Sequence, residues 1–120
     1  MALALTALAV RHDLRTKELI LKAVASGNYA TGGDTVNLTS ILNPNNITNA
    51  VAGYPGRITE PIVKQFAGGY VAELIPGTTL ANWKLKIFSA PATELAAGAY
   101  PAAITGDFFI LGFKGPKGQL

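Results

Sequence analysis

Hydrophobic and polar residues alternate with a period of two on both sides of a turn within residues 68–88. The apolar positions that share one face are Tyr70, Leu74, Trp83, Leu85 and Ile87, and the polar positions opposite them are Glu73, Lys84 and Lys86. Because successive side chains of a strand point to opposite faces, this pattern predicts a β-hairpin with one buried face. A lone hairpin is marginally stable in water, so further strands must cover that face.

Similar patterns predict strands over residues 17–26, 35–38 and 62–66. The apolar run 108–113 has the length of a strand and is typical of one buried on both faces. Residues 39–61 and 91–101 form long irregular loops rich in Gly, Pro and Asn, with a short helical turn possible over 47–51, and residues 103–105 could pair briefly. Short strands between such turns predict a mainly β protein, a single-domain antiparallel β-sandwich or barrel.

The first ten residues, MALALTALAV, are almost wholly apolar. They are too short to span a bilayer and lack the leading positive charges of a signal peptide. Propensity allows a helix here, and period-two alternation equally allows a strand of the module's own sheet. We expect an extended arm over residues 1–16 that packs on a neighbouring subunit or on the shell beneath, followed by a β domain over 17–113 and a flexible basic tail over 114–120.

The composition has two explanations: abundant alanine, which is apolar by class yet common on surfaces, or an exterior partly buried against other chains. Only 14% of the 120 residues are charged, whereas 49% are hydrophobic and the mean hydropathy is +0.30. A small domain with so little charge to cover its exterior favours a symmetric oligomer, a dimer or a trimer. The net charge of +3 is scattered along the chain, so it does not indicate a clustered basic face for nucleic acid.

Residues that could carry chemistry are few and dispersed. His12 is the only histidine and has no nucleophile motif beside it, and there is no cysteine. The seven carboxylates form no Ca²⁺-loop spacing, and the glycine-rich residues 31–34 lack the Lys-Ser/Thr that follows in a phosphate-binding loop. We therefore predict no catalytic, cofactor-binding or metal-binding residue, no small-molecule substrate, no membrane partner and no enzyme activity.

A small β-barrel that binds nucleic acid is the alternative, because Trp83 lies beside Lys84 and Lys86. Base stacking and phosphate contact would then have to share one surface. The alternation places the indole and the two ammonium groups on opposite faces, so we expect Trp83 in the core and no direct contact with nucleic acid.

Five segments occur in an order that resembles the small head decoration (cement) proteins of tailed bacteriophages and cyanophages. They are MALALT at the N-terminus, SGNYATGGDT at 26–35, GYVAE at 69–73, KLKI at 84–87 and ELAAG at 94–98. The resemblance extends from Met1 to Phe113, although residues 43–61 add nothing to it. It implies a structural, mostly β subunit without cofactor, bound to the major capsid protein on the outer surface of an icosahedral head after synthesis in the host cytoplasm. Another phage structural protein, of the tail or head–tail junction, is the remaining alternative.

In that setting the terminal segments would supply the contacts with partners. The candidate contact residues are Leu3, Leu5, Leu8, Val10, Arg11, Arg15, Lys114 and Lys117. The apolar side chains would enter a groove on the neighbour, and the basic ones would meet acidic groups of the capsid.

Overall fold

The computed structural model describes residues 3–12, 16–38, 58, 60–79 and 81–116. Within them it forms ten strands and one short helix, in the order β1 Leu3–His12, β2 Thr16–Ala25, β3 Asn28–Tyr29, β4 Asp34–Val36, β5 Glu60–Gln65, β6 Val71–Ile75, β7 Trp83–Ala90, β8 Thr93–Glu94, β9 Gly98–Ala99, α1 Ala102–Thr105 and β10 Phe109–Pro116. The protein is therefore mainly β, as the sequence predicts. The possible helical turn over 47–51 lies outside the described residues.

Four strands form an antiparallel sheet, called sheet I here, in the order β1-β2-β10-β5. Leu21 pairs with Ala7 on one side and with Leu111 on the other, which directs these three side chains to the inner face. A bulge between Ala7 and Ala9 breaks the register of β1 at Leu8. Bulges insert an unpaired residue and bend the strand that carries them.

The second sheet, sheet II, has the order β4-β7-β6, and β8 pairs with β7 beyond that path. Its β6 and β7 are the predicted hairpin, paired antiparallel from Val71 opposite Phe88 to Ile75 opposite Lys84. In the hairpin turn, the Asn82 side chain accepts a hydrogen bond from the Thr79 backbone N–H at 2.9 Å and donates one to the Thr78 hydroxyl at 2.7 Å. Asn and Thr side chains stabilise turns in this way. Strands β3 and β9 form a separate two-stranded sheet.

The core lies between sheets I and II. Alternate residues of both sheets are buried in one hydrophobic cluster, and Trp83 of β7 packs edge-to-face on Phe113 of β10 with ring centroids 5.6 Å apart. Each large apolar side chain buried there contributes roughly 1.5–3 kcal/mol. No backbone pairing joins sheet I to sheet II in the part of the chain that the structure describes, so the fold is a β-sandwich and not a closed barrel.

The separate N-terminal arm is wrong for residues 3–12. These residues are β1 of sheet I, paired with β2 from Leu3 opposite Ala25 to His12 opposite Lys17. Leu3, Leu5 and Ala7 belong to the protein's own core. Extended alternation looks the same in an arm and in a strand, and only the long-range pairing with β2 distinguishes them.

Three smaller expectations also need correction. The basic tail does not begin at Lys114, because β10 continues to Pro116, opposite Thr16. Residues Ala102–Thr105 form a helical turn, α1, and not a strand. The run 108–113 forms a central strand, but only its inner side chains, such as Phe109 and Leu111, are fully buried.

Candidate interaction surfaces

The apolar residues proposed as partner contacts have different environments. Leu3 and Leu5 are 1% and 2% exposed, so both are core residues that are not accessible to a partner. Leu8 is 39% exposed, because the alternation that buries Leu5 and Ala7 places it on the outer face, and it lies at the bulge. Val10 lies in β1, but its side chain is outside what the structure describes.

The basic candidates do not form one described cluster. Arg11 is in β1 with an undescribed side chain, and Arg15 and Lys117 lie outside the described residues. Lys114 is partly buried in β10, opposite Glu18 of β2 and Glu60 of β5. The structure therefore leaves Leu8 and Lys114 as the described candidates with some solvent exposure.

An apolar row crosses the outer face of sheet I from one edge to the other. Its residues pair in register and are Ala9, Ile20, Gly112 and Ile62. Ile62 is 52% exposed, whereas Ile20 is only 8% exposed, and Leu8 lies beside the row at the bulge. Outer faces of antiparallel sheets are usually polar, so this row is a candidate contact surface.

Charged side chains border the row, and one of them crosses it. Lys64 forms an ion pair with Glu18 at 3.1 Å, and Lys22 lies over the Phe108 ring, 4.6 Å from its centroid. The Lys64 side chain also crosses Gly112, since a Cβ at that glycine would lie 2.6 Å from Lys64 Cε. An apolar centre with a polar rim is typical of protein–protein interfaces.

A second apolar surface lies on the outer face of sheet II, where β6 begins and β7 ends. Val71 and Phe88 are cross-strand neighbours there, and Val71 is 52% exposed. They line an open groove of about 570 Å³, completed by Gly69, Ser89, Ala90, Pro91 and Ala92. The next pair along the hairpin is Glu73 opposite Lys86. The Lys86 ammonium lies 5.5 Å from the centroid of the Phe88 ring, at the groove.

Two buried tyrosines and two carboxylates form a hydrogen-bonded cluster that joins distant segments. The Tyr29 hydroxyl donates to Glu94 Oε2 at 2.6 Å and accepts from the Ile87 backbone N–H at 3.1 Å. Glu94 Oε2 also accepts from the Gly32 N–H at 2.6 Å. In the second pair, the Tyr100 hydroxyl donates a hydrogen bond to the Asp34 carboxylate. The Tyr29 and Tyr100 rings pack edge-to-face at 5.8 Å.

Burial raises the pKa of both phenols well above its ordinary value, and the carboxylate each one contacts raises it further. The Glu94 pKa is lowered, first by the Tyr29 hydrogen bond and then by the Gly32 N–H. The hydroxyls therefore stay protonated and the cluster cross-links β3, β7 and β8. Such hydrogen bonds satisfy buried polar groups, so the cluster has a structural role.

Sequence reasoning missed this cluster and the groove. The bonded residues are 58 to 66 positions apart, and no local pattern links them. The groove had a visible signal, because Val71 and Phe88 fall on the predicted wet face of the hairpin.

Within the described residues, no group of three or more His, Asp or Glu side chains could hold a metal ion. No described helix has the length and hydropathy needed to cross a membrane. The sequence matches no protein-family model, and no curated protein or solved structure matches it significantly.

Proposed function

We propose that the chain is a structural virion subunit, a head decoration or cement protein. In this role it binds the major capsid protein on the outer surface of an icosahedral phage head and stabilises contacts between capsomers. The observation that carries the proposal is that the segments resembling decoration proteins are mutual neighbours in the fold.

Each of four segments contacts another one. Segment 26–35 meets segment 94–98 through the bonds from Tyr29 and Gly32 to Glu94. It meets segment 84–87 where Asp34 pairs with Leu85. Segment 69–73 meets segment 84–87 where Glu73 pairs with Lys86. Chance matches of short segments need not fold into one unit, so this clustering supports a shared architecture.

The outer face of sheet I is the surface we assign to the capsid. It combines the exposed Ile62 and Leu8 with a border of charged side chains from Glu18, Lys22 and Lys64. An interface with an apolar centre binds mainly by burying that centre, and its charged border fixes the orientation of the two partners. A nucleic-acid role has less support, because Trp83 is only 6% exposed and packs on Phe113.

Copy number tests the proposal. Quantitative mass spectrometry of purified virions should find the chain in amounts comparable to the major capsid protein. Only a few copies per particle would indicate a tail or portal component, and absence from the particle would exclude a virion role. Steep loss of DNA binding as salt rises, measured by fluorescence titration, would instead support the nucleic-acid alternative.

A variant tests the assigned surface. Ile62→Asp places a charge at the exposed β5 end of the apolar row, and we expect its affinity for capsids lacking the protein to fall by about tenfold or more, which corresponds to roughly 1.4 kcal/mol. Ala97→Asp puts the same charge in the exposed loop between β8 and β9 and should bind as the wild type does. Equal binding of all three proteins in a cosedimentation assay would contradict this assignment.

A further inference from the structure

We propose that two copies of the chain associate through the outer faces of their β6–β7 hairpins, about a two-fold axis beside the groove. The inference goes beyond capsid binding, because the two copies would meet in solution without a capsid. It depends on the placement of one apolar pair, Val71 and Phe88, next to one pair of opposite charges, Glu73 and Lys86.

The apolar pair, Val71 and Phe88, favours burial of this surface against a partner. Val71 is half exposed although it lies in a regular strand, and the groove beside it is lined by glycine, alanine, proline and phenylalanine, with Ser89 as its polar side chain. Apolar side chains that are clustered at an open groove gain free energy when a partner removes them from water. A second copy packed on this face would cover the Val71 and Phe88 side chains and remove them from water.

The charged pair identifies the partner as a second copy. Glu73 and Lys86 point to the same side of the hairpin as Val71 and Phe88, since they alternate with the buried Leu74 and Ile87. Among the described residues, neither charge has an ion-pair partner within 4 Å.

In a two-fold interface, if residue i of one copy contacts residue j of the other, then residue j of the first copy also contacts residue i of the second. Two Glu73–Lys86 contacts can therefore form across the axis.

Sheet I does not offer the same arrangement. Its apolar row, of which Ile62 is the exposed member, lies beside Glu18 and Lys64, which already pair with each other at 3.1 Å. Those charges form an ion pair within one chain, whereas no ion pair among the described residues includes Glu73 or Lys86.

The test is charge reversal followed by mixing. Sedimentation velocity of the wild-type protein should show a dimer at high concentration. Glu73→Lys and Lys86→Glu should each raise the dimer dissociation constant by about tenfold or more, because each brings like charges together across the axis. Mixing these two variants should restore dimers as heterodimers, detectable by native mass spectrometry.

Charge reversal on the other face is the matched control. Glu18→Lys mixed with Lys64→Glu has the same overall charges, and that pair should form no additional heterodimer. Val71→Asp should abolish the dimer while its thermal midpoint stays close to that of the wild type, since Val71 is exposed.

A wild-type protein that remains monomeric would overturn the proposal. So would dimers unaffected by Glu73→Lys, Lys86→Glu and Val71→Asp, because these would place the interface elsewhere. Capsid binding is measured separately, so either proposal can fail while the other stands.

Discussion

Gly68 and Gly69 are adjacent residues with positive φ, but their surroundings differ. A Cβ at Gly68 would lie 2.5 Å from the carbonyl oxygen of Ala103 in α1, whereas one at Gly69 would meet nothing within 4 Å. Gly69→Ala should therefore cost only the left-handed backbone strain of about 1–2 kcal/mol. Gly68→Ala should cost roughly 1–3 kcal/mol more, because the β5–β6 turn must move away from α1.

Urea unfolding of the two glycine variants measures this difference directly. Equal losses of unfolding free energy would mean that the turn does not pack closely on α1. The Gly68 N–H also donates to the Asp107 carboxylate at 3.0 Å, so displacement of the turn would weaken this hydrogen bond as well.

Glu94 should make the stability of the fold sensitive to acid. Its pKa is lowered in the folded state by the Tyr29 hydroxyl and the Gly32 N–H, from an ordinary value of 4.5. A carboxylate with a depressed folded pKa contributes stability that is present above the unfolded pKa and is lost as the pH falls through the folded pKa. The urea midpoint should thus fall as the pH decreases below about 4.5.

Glu94→Gln should flatten this pH dependence, because the amide oxygen can still accept the two hydrogen bonds but carries no charge. Glu73→Gln is the control, an exposed carboxylate of the same type. Asp107, whose pKa is lowered by the N–H groups of Gly68 and Phe108, contributes in the same direction and should leave some acid sensitivity in both variants. If the urea midpoint depends on pH equally in the wild type and in Glu94→Gln, the stability of the cluster does not depend on the charge of Glu94.

At the level of elements, β1 is the strand whose role the structure changes most. Leu5→Ala removes a side chain that is 2% exposed and should destabilise the isolated protein by about 2–5 kcal/mol. Leu8→Ala, at the bulge and 39% exposed, should change the unfolding free energy by no more than about 0.5–1 kcal/mol. Thermal or urea unfolding of both variants distinguishes a core strand from an arm. If Leu5→Ala were as stable as the wild type, β1 would not be a core strand and the arm prediction would stand.

The predicted elements succeeded where a residue pattern is local. Period-two alternation located the β6–β7 hairpin and β2, and the burial of Trp83 followed from its position on the hairpin's apolar face. The strand β1 was located but misassigned, because the pairing of Leu3 with Ala25 is a long-range contact that no local pattern records. A four-residue helix such as α1 is too short to show a helical period.

The candidate surfaces were harder to predict for the same reason. In the sequence, Leu3 and Leu5 resemble exposed apolar residues of a terminal segment. Their burial in the core is visible only once the two sheets are packed together. The row from Ala9 to Ile62 combines four strands, so its continuity depends on the strand order β1-β2-β10-β5. Exposed apolar residues such as Val71 can be recognised once the faces of the hairpin are known.

At the scale of the whole molecule, the sandwich has two different outer faces. We propose that the outer face of sheet I, with its ion pair and exposed Ile62, binds the capsid, and that the outer face of sheet II, with its groove and the cross-strand neighbours Glu73 and Lys86, binds a second copy. A subunit that uses opposite faces for these two contacts could link neighbouring positions on a shell. The two faces bind independently in this account, so variants of one should leave the other intact.

A low-resolution electron cryomicroscopy map of the virion tests the central proposal most directly. We expect density on the outer surface of the head, repeated over the icosahedral lattice, into which the β-sandwich fits with sheet I towards the capsid. Density for this module only at the tail, at the portal or inside the shell would contradict it, as would a head whose outer surface carries no such density.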